Sequence, residues 1–172
     1  MTVSVRRAQP EDFERWLAVH EAVAAEGKWI GAELPLDLDA VREHFDDGVN
    51  GERRALFLAE SEDGTVVGNF KITVWSFGVA DFGMAVLDGW RGKGVGSRLL
   101  EAGIAFAREH GAHKIALQMW PHNTGAQRLY EKYGFVVEGR LRRHYPRQNG
   151  ELWDAVIMGL VLDEDTPGSS LH

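Results

Sequence analysis

Val3 and Val5 alternate with polar neighbours, a period of two that predicts a strand over residues 2–7. Pro10, Glu11 and Asp12 put a proline and two acids where a helix would start. Phe13, Trp16, Leu17, His20 and Val23 then recur at helical spacing, and Gly27 closes the run. The stretch 28–39 mixes Trp29 and Ile30 with Gly31, Glu33 and Pro35 and has no clean period. It reads as a loop whose aromatics either cap a pocket or fold over the core. A short helix is expected over 39–46, ended by the turn cluster Asp46-Asp47-Gly48-Val49-Asn50-Gly51. Strands at 54–60 and 66–75 flank Asp63-Gly64, a hairpin signal, and are expected to pair antiparallel. Residues 76–80 connect them to a buried strand at 82–87.

Past residue 95 the period becomes helical again. Leu99, Leu100, Gly103, Ile104 and Ala107 form an apolar stripe, while Arg98, Glu101, Arg108 and Glu109 face outward. This helix ends at His110-Gly111, and 114–120 reads as the next strand. A strand–helix–strand unit of this length implies parallel pairing with a right-handed crossover. A short helix over 126–133 has Gly134 in the C-terminal capping role. Strands at 135–144 and 152–162 are joined by a turn at 146–150. The pattern is α/β, with seven strands and no repeat or linker. We expect a single domain over 1–162 and an acidic, disordered tail over 163–172.

A chain of 172 residues, 44% hydrophobic and 26% charged, is long enough to bury a core as one domain. Its net charge of −7 argues against nucleic acid as a partner and mildly favours cationic ligands such as amines. The absence of cysteine removes disulfides, thiolate metal sites and thiol catalysis. The N-terminal stretch has no signal-peptide pattern, and the longest apolar run, 155–162, is too short to cross a bilayer. The expectation is a cytoplasmic protein without a membrane partner. Seven histidines are present, but no His-Glu-x-x-His or comparable spacing, so no metal is expected.

The chemistry concentrates between residues 82 and 110. A strand runs through Asp88-Gly89-Trp90 into Arg91-Gly92-Lys93-Gly94-Val95-Gly96, and a helix starts there. Glycines let backbone N–H groups approach a ligand, the helix start adds partial positive charge, and Arg91 and Lys93 add full charges. The combination suits a diphosphate. It is neither the dinucleotide Gly-x-Gly-x-x-Gly fingerprint nor a P-loop, because no third glycine follows and Gly94 stands after Lys93. Taken singly, these glycines could form a tight connection, Asn123 an ordinary helix cap, and Tyr130 a core residue.

Two motifs together carry more. Arg91-x-x-Gly94-x-Gly96 opens the long helix, and Asn123-x-x-Ala126-x-x-Leu129-Tyr130-x-x-Tyr133-Gly134-Phe135 follows about thirty residues later. This pair resembles the GNAT superfamily of acetyl-CoA-dependent N-acyltransferases, over the chain from its first strand to about residue 160. Tyr133 stands where that family often has leucine. The resemblance implies a mixed, mostly antiparallel central sheet of about seven strands, with helices on both faces and a splayed central pair. It implies acetyl-CoA as co-substrate. The backbone of Val86 and Leu87 would pair with the pantetheine arm. Backbone N–H groups of Arg91, Gly92, Lys93, Gly94, Val95 and Gly96, with Ser97, would hold the diphosphate. Asn123 would bind the arm, and Tyr130 would be general acid for the departing thiolate.

The resemblance leaves the base open. Asp81, at the start of the strand containing Val86, and Glu33, in the aromatic loop, are the two candidates. The block Gly139-Arg140-Leu141-Arg142-Arg143 with Gly150 and Asp154, and the loop with Trp29, look like the branch acting on amino acids and analogues, including phosphinothricin acetyltransferase-like proteins. Trp29, Glu33 and Arg140 are then candidate substrate contacts, with Arg140 able to hold a carboxylate. The expected partner is a small primary amine. An N-terminal acetyltransferase of a protein, such as a ribosomal protein, is the enzymatic alternative. A non-catalytic acyl-CoA-binding module is the alternative of another class. Family members are often dimers, so a homodimer is a further expectation.

Overall fold

In the computed structural model, which describes residues 2–162, seven strands form one sheet among the described residues. The expected tail at 163–172 lies outside them. β1 is Val3–Arg7, β2 Arg54–Ser61, β3 Val66–Val74, β4 Val79–Val86, β5 Lys114–Met119, β6 Val136–Pro146 and β7 Leu152–Val161. Their order across the sheet is β1-β2-β3-β4-β5-β7-β6. Every neighbouring pair is antiparallel except β4 and β5, which run parallel. The helix between that pair is α3, Val95–Glu109.

Alternation along the strands assigns each face its helices. On one face Leu56 and Leu58 of β2 pack with Trp16, Val19 and Val23 of α1, Phe13–Ala25, and with Phe45 of α2, Leu38–Asn50. On the other, Ala55, Phe70 and Ile72 pack with Val95, Leu99 and Leu100 of α3. Tyr130 of α4, Thr124–Lys132, joins that second cluster.

α2 is longer than its sequence pattern suggested. Asp37 caps it by accepting from the N–H groups of Asp39 and Ala40, both at 3.1 Å, a bond worth about 1 kcal/mol. The expected turn at 46–51 is mostly helix. Phe45 is fully buried there, and Asp47 holds both Lys71 at 2.9 Å and Arg54 at 2.5 Å. Tertiary packing and these ion pairs outweigh the local turn preference of Asp and Gly. β4 also starts earlier than expected, at Val79, because the turn at Gly78 needs only four residues. There Gly78 (φ 81°) lets the Trp75 N–H reach the Val79 carbonyl at 3.0 Å.

One buried charge anchors the N-terminal side. Asp12 has a side chain only 1% exposed, and Arg6 grips both of its oxygens, at 2.7 and 2.9 Å. Arg15 and the Gln9 N–H also donate to it. The Arg6 bonds hold the Asp12 carboxyl well below the usual range against the opposing effect of burial. Its contribution to stability is therefore present above the ordinary carboxylate pKa and is lost as pH falls below it.

Gly103 is where α3 meets the sheet. A Cβ there would lie 2.1 Å from Cε1 of the fully buried Phe70 ring. Alanine normally gains about 1 kcal/mol over glycine inside a helix, so the two effects oppose each other. The clash should win, because Phe70 has no free space to move into. Gly103→Ala should lose roughly 1–3 kcal/mol in urea denaturation, whereas Gly139→Ala, with open space around it, should be close to neutral.

Candidate active site

β4 and β5 stay together for only three residues, Val79–Asp81 against Lys114–Ala116. Beyond that β5 remains paired to β7 through Met119, and β4 to β3 through Val86. The two central strands therefore part. Which backbone groups face the opening follows from alternation. The Leu87 N–H donates to Val67, and the Val79 carbonyl accepts from Trp75, so odd-numbered residues of β4 face β3. Met84 and Val86 turn their N–H and C=O groups toward the gap. Of the two backbone positions expected to pair with a ligand, Val86 faces the opening and Leu87 is committed to β3. Met84 joins Val86. The Val86 carbonyl already accepts from Arg91 Nε at 2.9 Å, so at that residue the N–H is the free group.

The gap leads onto the N-terminus of α3. Gly92 and Gly94 have φ of 71° and 85°, a left-handed backbone that other residues reach only at a cost, and nothing stands within 4 Å of either missing Cβ. Gly94 is the N-cap and offers no side chain to its helix. The first intrahelical bond is Arg98 N–H to the Gly94 carbonyl, which leaves the N–H groups of Val95, Gly96 and Ser97 free of helical partners. A cavity of about 380 Å³ runs along this segment. Its walls include Val86, Arg91, Gly92, Gly94, Gly96 and Ser97 from the expected cofactor set, with Asn123 and Tyr130 opposite. Val95 is buried beneath and Lys93 lies outside the wall, donating to the Gly89 carbonyl at 2.6 Å.

Arg91 has a different posture from the one its motif suggests. Its guanidinium forks onto Glu26 at 2.6 and 2.9 Å and covers the Trp29 ring at 5.4 Å. The Trp29 Nε1–H donates to the same Glu26 at 2.5 Å. The bond from Arg91, then that from Trp29, hold the Glu26 carboxyl below its usual range against desolvation. Arg91 thereby braces the end of α1 and the Trp29 loop against the glycine turn.

A second cavity of about 340 Å³ continues from the first. Trp29, Met84, Asn123 and Tyr130 line both, so they stand at the junction. Asn123 caps α4, its Oδ1 accepting from the Ala126 N–H at 3.2 Å, and the same side chain borders the cavities. Tyr130 is 6% exposed and packs edge-on to Phe82 at 5.6 Å. Burial pushes its phenol pKa up, so it keeps its proton at neutral pH. The Trp29 loop runs along the junction and is tied down on both sides of it. His122 Nε2 contacts the Lys28 carbonyl at 2.6 Å, and Gln148 N–H donates to Glu33 at 3.1 Å. A carbonyl can only accept, so Nε2 carries the proton and a neutral His122 keeps a lone pair on Nδ1.

Three sequence candidates are not brought to the junction. Asp81 lines neither cavity. Its exposed carboxylate accepts from Trp75 Nε1 at 2.8 Å, and residue 81 lies in the part of β4 still paired with β5. Arg140 is mostly exposed and holds Asp154 at 2.7 Å. Glu33 lies beyond the cavity walls, tying its loop to the β6–β7 turn. The walls contain no Asp or Glu at all among the described residues. Conversely, Trp120, Tyr145 and Arg147 line the second cavity without having been singled out by any motif. The only sequence hint was their proximity to Asn123 and to the β6–β7 turn.

Two cavities that meet at one buried phenol suit a group transfer between two substrates. Residues 16–135 match the acetyltransferase (GNAT) family, and the chain belongs to that family. It is 28% identical over 168 residues to the L-methionine sulfoximine/L-methionine sulfone acetyltransferase of Pseudomonas paraeruginosa, covering 95% of this chain and 96% of that one. It is 36% identical over 104 residues to the L-amino acid N-acetyltransferase of Escherichia coli, covering 58% of this chain and 64% of that one. Its fold matches the phosphinothricin acetyltransferase of Sinorhizobium meliloti, solved in complex with acetyl-CoA, with TM-score 0.83 and 18% identity over 94% of this chain and 89% of that one.

The raised pKa of Tyr130 can be read directly. Subtracting the phenolate absorbance of Tyr130→Phe from that of the native protein should show no ionisation up to about pH 11. A step near pH 10 would mean that the phenol is not desolvated.

Proposed function

We propose that this chain transfers an acetyl group from acetyl-CoA to the α-amine of an amino acid or amino-acid analogue. The observation that carries this reading is the meeting of the two cavities at Tyr130 and Asn123. One cavity has the free N–H groups of a helix start, suited to a diphosphate, and an unpaired strand edge, suited to an amide-bearing arm. The other is bordered by the Trp29 loop and has room for a small molecule. The full-length relative named for methionine sulfoximine supports the amino-acid class.

Acetyl-CoA supplies an activated thioester. Met84 and Val86 offer N–H groups to the thioester oxygen as negative charge develops on it. The amine nitrogen bonds to the carbonyl carbon, the carbon–sulfur bond breaks, and Tyr130 donates its proton to the leaving sulfur. The amine must arrive unprotonated. An α-amino group, with pKa about 8, is neutral roughly one time in ten at pH 7, whereas a lysine-type amine is neutral only about once in a few thousand. Walls without a carboxylate base therefore fit an α-amine better than a lysine side chain. As the amide forms the nitrogen gives up a proton, for which His122, in the wall of the first cavity, and solvent are the acceptors.

Acetyl-CoA should raise the melting temperature of the protein, as a ligand of the native state must. Unchanged melting at saturating acetyl-CoA would rule out the first cavity as its site. With an accepted amino acid, Tyr130→Phe should lower kcat by about 10²–10⁴-fold and leave the acetyl-CoA KM close to native. Unchanged kcat would remove Tyr130 as the acid.

A further inference from the structure

Arg147 is the most conspicuous charge that the transfer chemistry leaves unused. It sits in the turn between β6 and β7, and its side chain is only 3% exposed. Two tryptophans hold its guanidinium, Trp153 at 4.4 Å and Trp120 at 5.3 Å from the ring centres. Those rings stand edge to face at 88°. The backbone is fixed as well, because the Arg147 N–H donates to the Glu151 carbonyl at 2.8 Å and its carbonyl accepts from Gly150 at 2.9 Å.

Its hydrogen bonding is incomplete. Nη1 donates to the Gly31 carbonyl at 3.1 Å, but Nε and Nη2 are buried without a hydrogen-bond partner. Glu33 Oε1 forms an ion pair with Nη2 at 3.5 Å but no hydrogen bond, while its other oxygen accepts from the Gln148 N–H. Buried charged donors are normally satisfied, so an unpaired pair of them beside a cavity calls for an external acceptor. Nε and Nη2 form one edge of the guanidinium fork, the geometry that receives a carboxylate bidentately. The cavity beyond is walled by Phe82, Leu117, Met119, Trp120, Tyr145 and Ala155, with Gln118 and Asn123 as polar side chains. Tyr145 donates its hydroxyl to Gln118 Oε1. Among the described residues Arg147 is the one charged side chain in that wall.

We infer that Arg147 anchors the α-carboxylate of the acceptor, and that the acceptor is an amino acid with an uncharged side chain. This rests on the reading of the second cavity as the acceptor site. Arg147 acts there as a specificity residue and takes no part in proton transfer. Its place is the one that sequence reasoning assigned to Arg140, which the fold turns out to Asp154 instead.

The test uses the full chain and its tryptophan fluorescence, since Trp120 and Trp153 flank the anchor. L-Phenylalanine, L-phenylalaninamide, L-lysine and L-aspartate are titrated into the native protein, Arg147→Met and Arg147→Lys. L-Phenylalanine should bind the native protein about 10–100-fold more tightly than its amide. Arg147→Met should erase that difference and leave affinity for the amide and for acetyl-CoA unchanged, and Arg147→Lys should restore part of it. Equal binding of acid and amide by the native protein, including no binding of either, overturns the anchor without any variant. So does a difference that survives in Arg147→Met. L-Lysine or L-aspartate binding as tightly as L-phenylalanine overturns the preference for an uncharged side chain. Thiol release from acetyl-CoA separates this from the broader reading. Carboxylate-dependent binding without thiol release keeps the anchor and defeats acetyl transfer, whereas equal turnover of acid and amide does the reverse.

Discussion

The parting of β4 from β5 is the constraint on which the rest depends. Two parallel strands that pair for three residues and then separate leave the Met84 and Val86 N–H groups without a strand partner. In a closed sheet that loss would cost stability with nothing in return. Here the opening runs from the start of α3 to the aromatic cavity beside β5. Both neighbours of the gap are held firmly by their outer partners, β3 and β7, so the gap is a fixed feature of the sheet. Phe82, stacked on Phe70 at 4.4 Å and edge-on to Tyr130, closes its helix side.

Charges around the gap are divided between holding the protein together and receiving ligands. Arg91 belongs largely to the first group. Its fork onto Glu26 and its contact with Val86 join α1, the glycine turn and β4, and Glu26 in turn fixes Trp29. The positive character offered at the first cavity thus comes chiefly from backbone N–H groups at the α3 start. One loop, 28–37, touches both halves of the site, through Trp29 at the junction and through Gly31 and Glu33 at the β6–β7 turn. Ordering that loop serves both substrates at once.

Much of this was legible in the chain. Period-two and period-3.6 patterns located most strands and the long helix by their buried faces, whereas β6, which has no fully buried residue, was bounded by Gly134 and the turn at 146–150. The pair of motifs around Gly94 and Asn123 located the cofactor side, because that side is made of backbone and needs glycines at fixed places. The acceptor side was not legible. Arg140 and Arg147 look alike in sequence, and only the pairing of β6 with β7 sends one to Asp154 and the other between two tryptophans. Asp81, the candidate base at the strand start, lies in the part of β4 that is paired with β5, and its carboxylate accepts from Trp75. α2 was read short because Asp46, Asp47, Gly48 and Asn50 favour turns locally, while Phe45 and Lys71 act from elsewhere in the fold.

Amide hydrogen exchange with and without acetyl-CoA reads the gap between β4 and β5 residue by residue. New protection is expected at the Met84 and Val86 amides and across Gly92–Ser97, with little change at Leu87, whose N–H is already bonded to Val67. Protection confined to other segments, or none at the β4 edge while acetyl-CoA binds, would contradict that expectation.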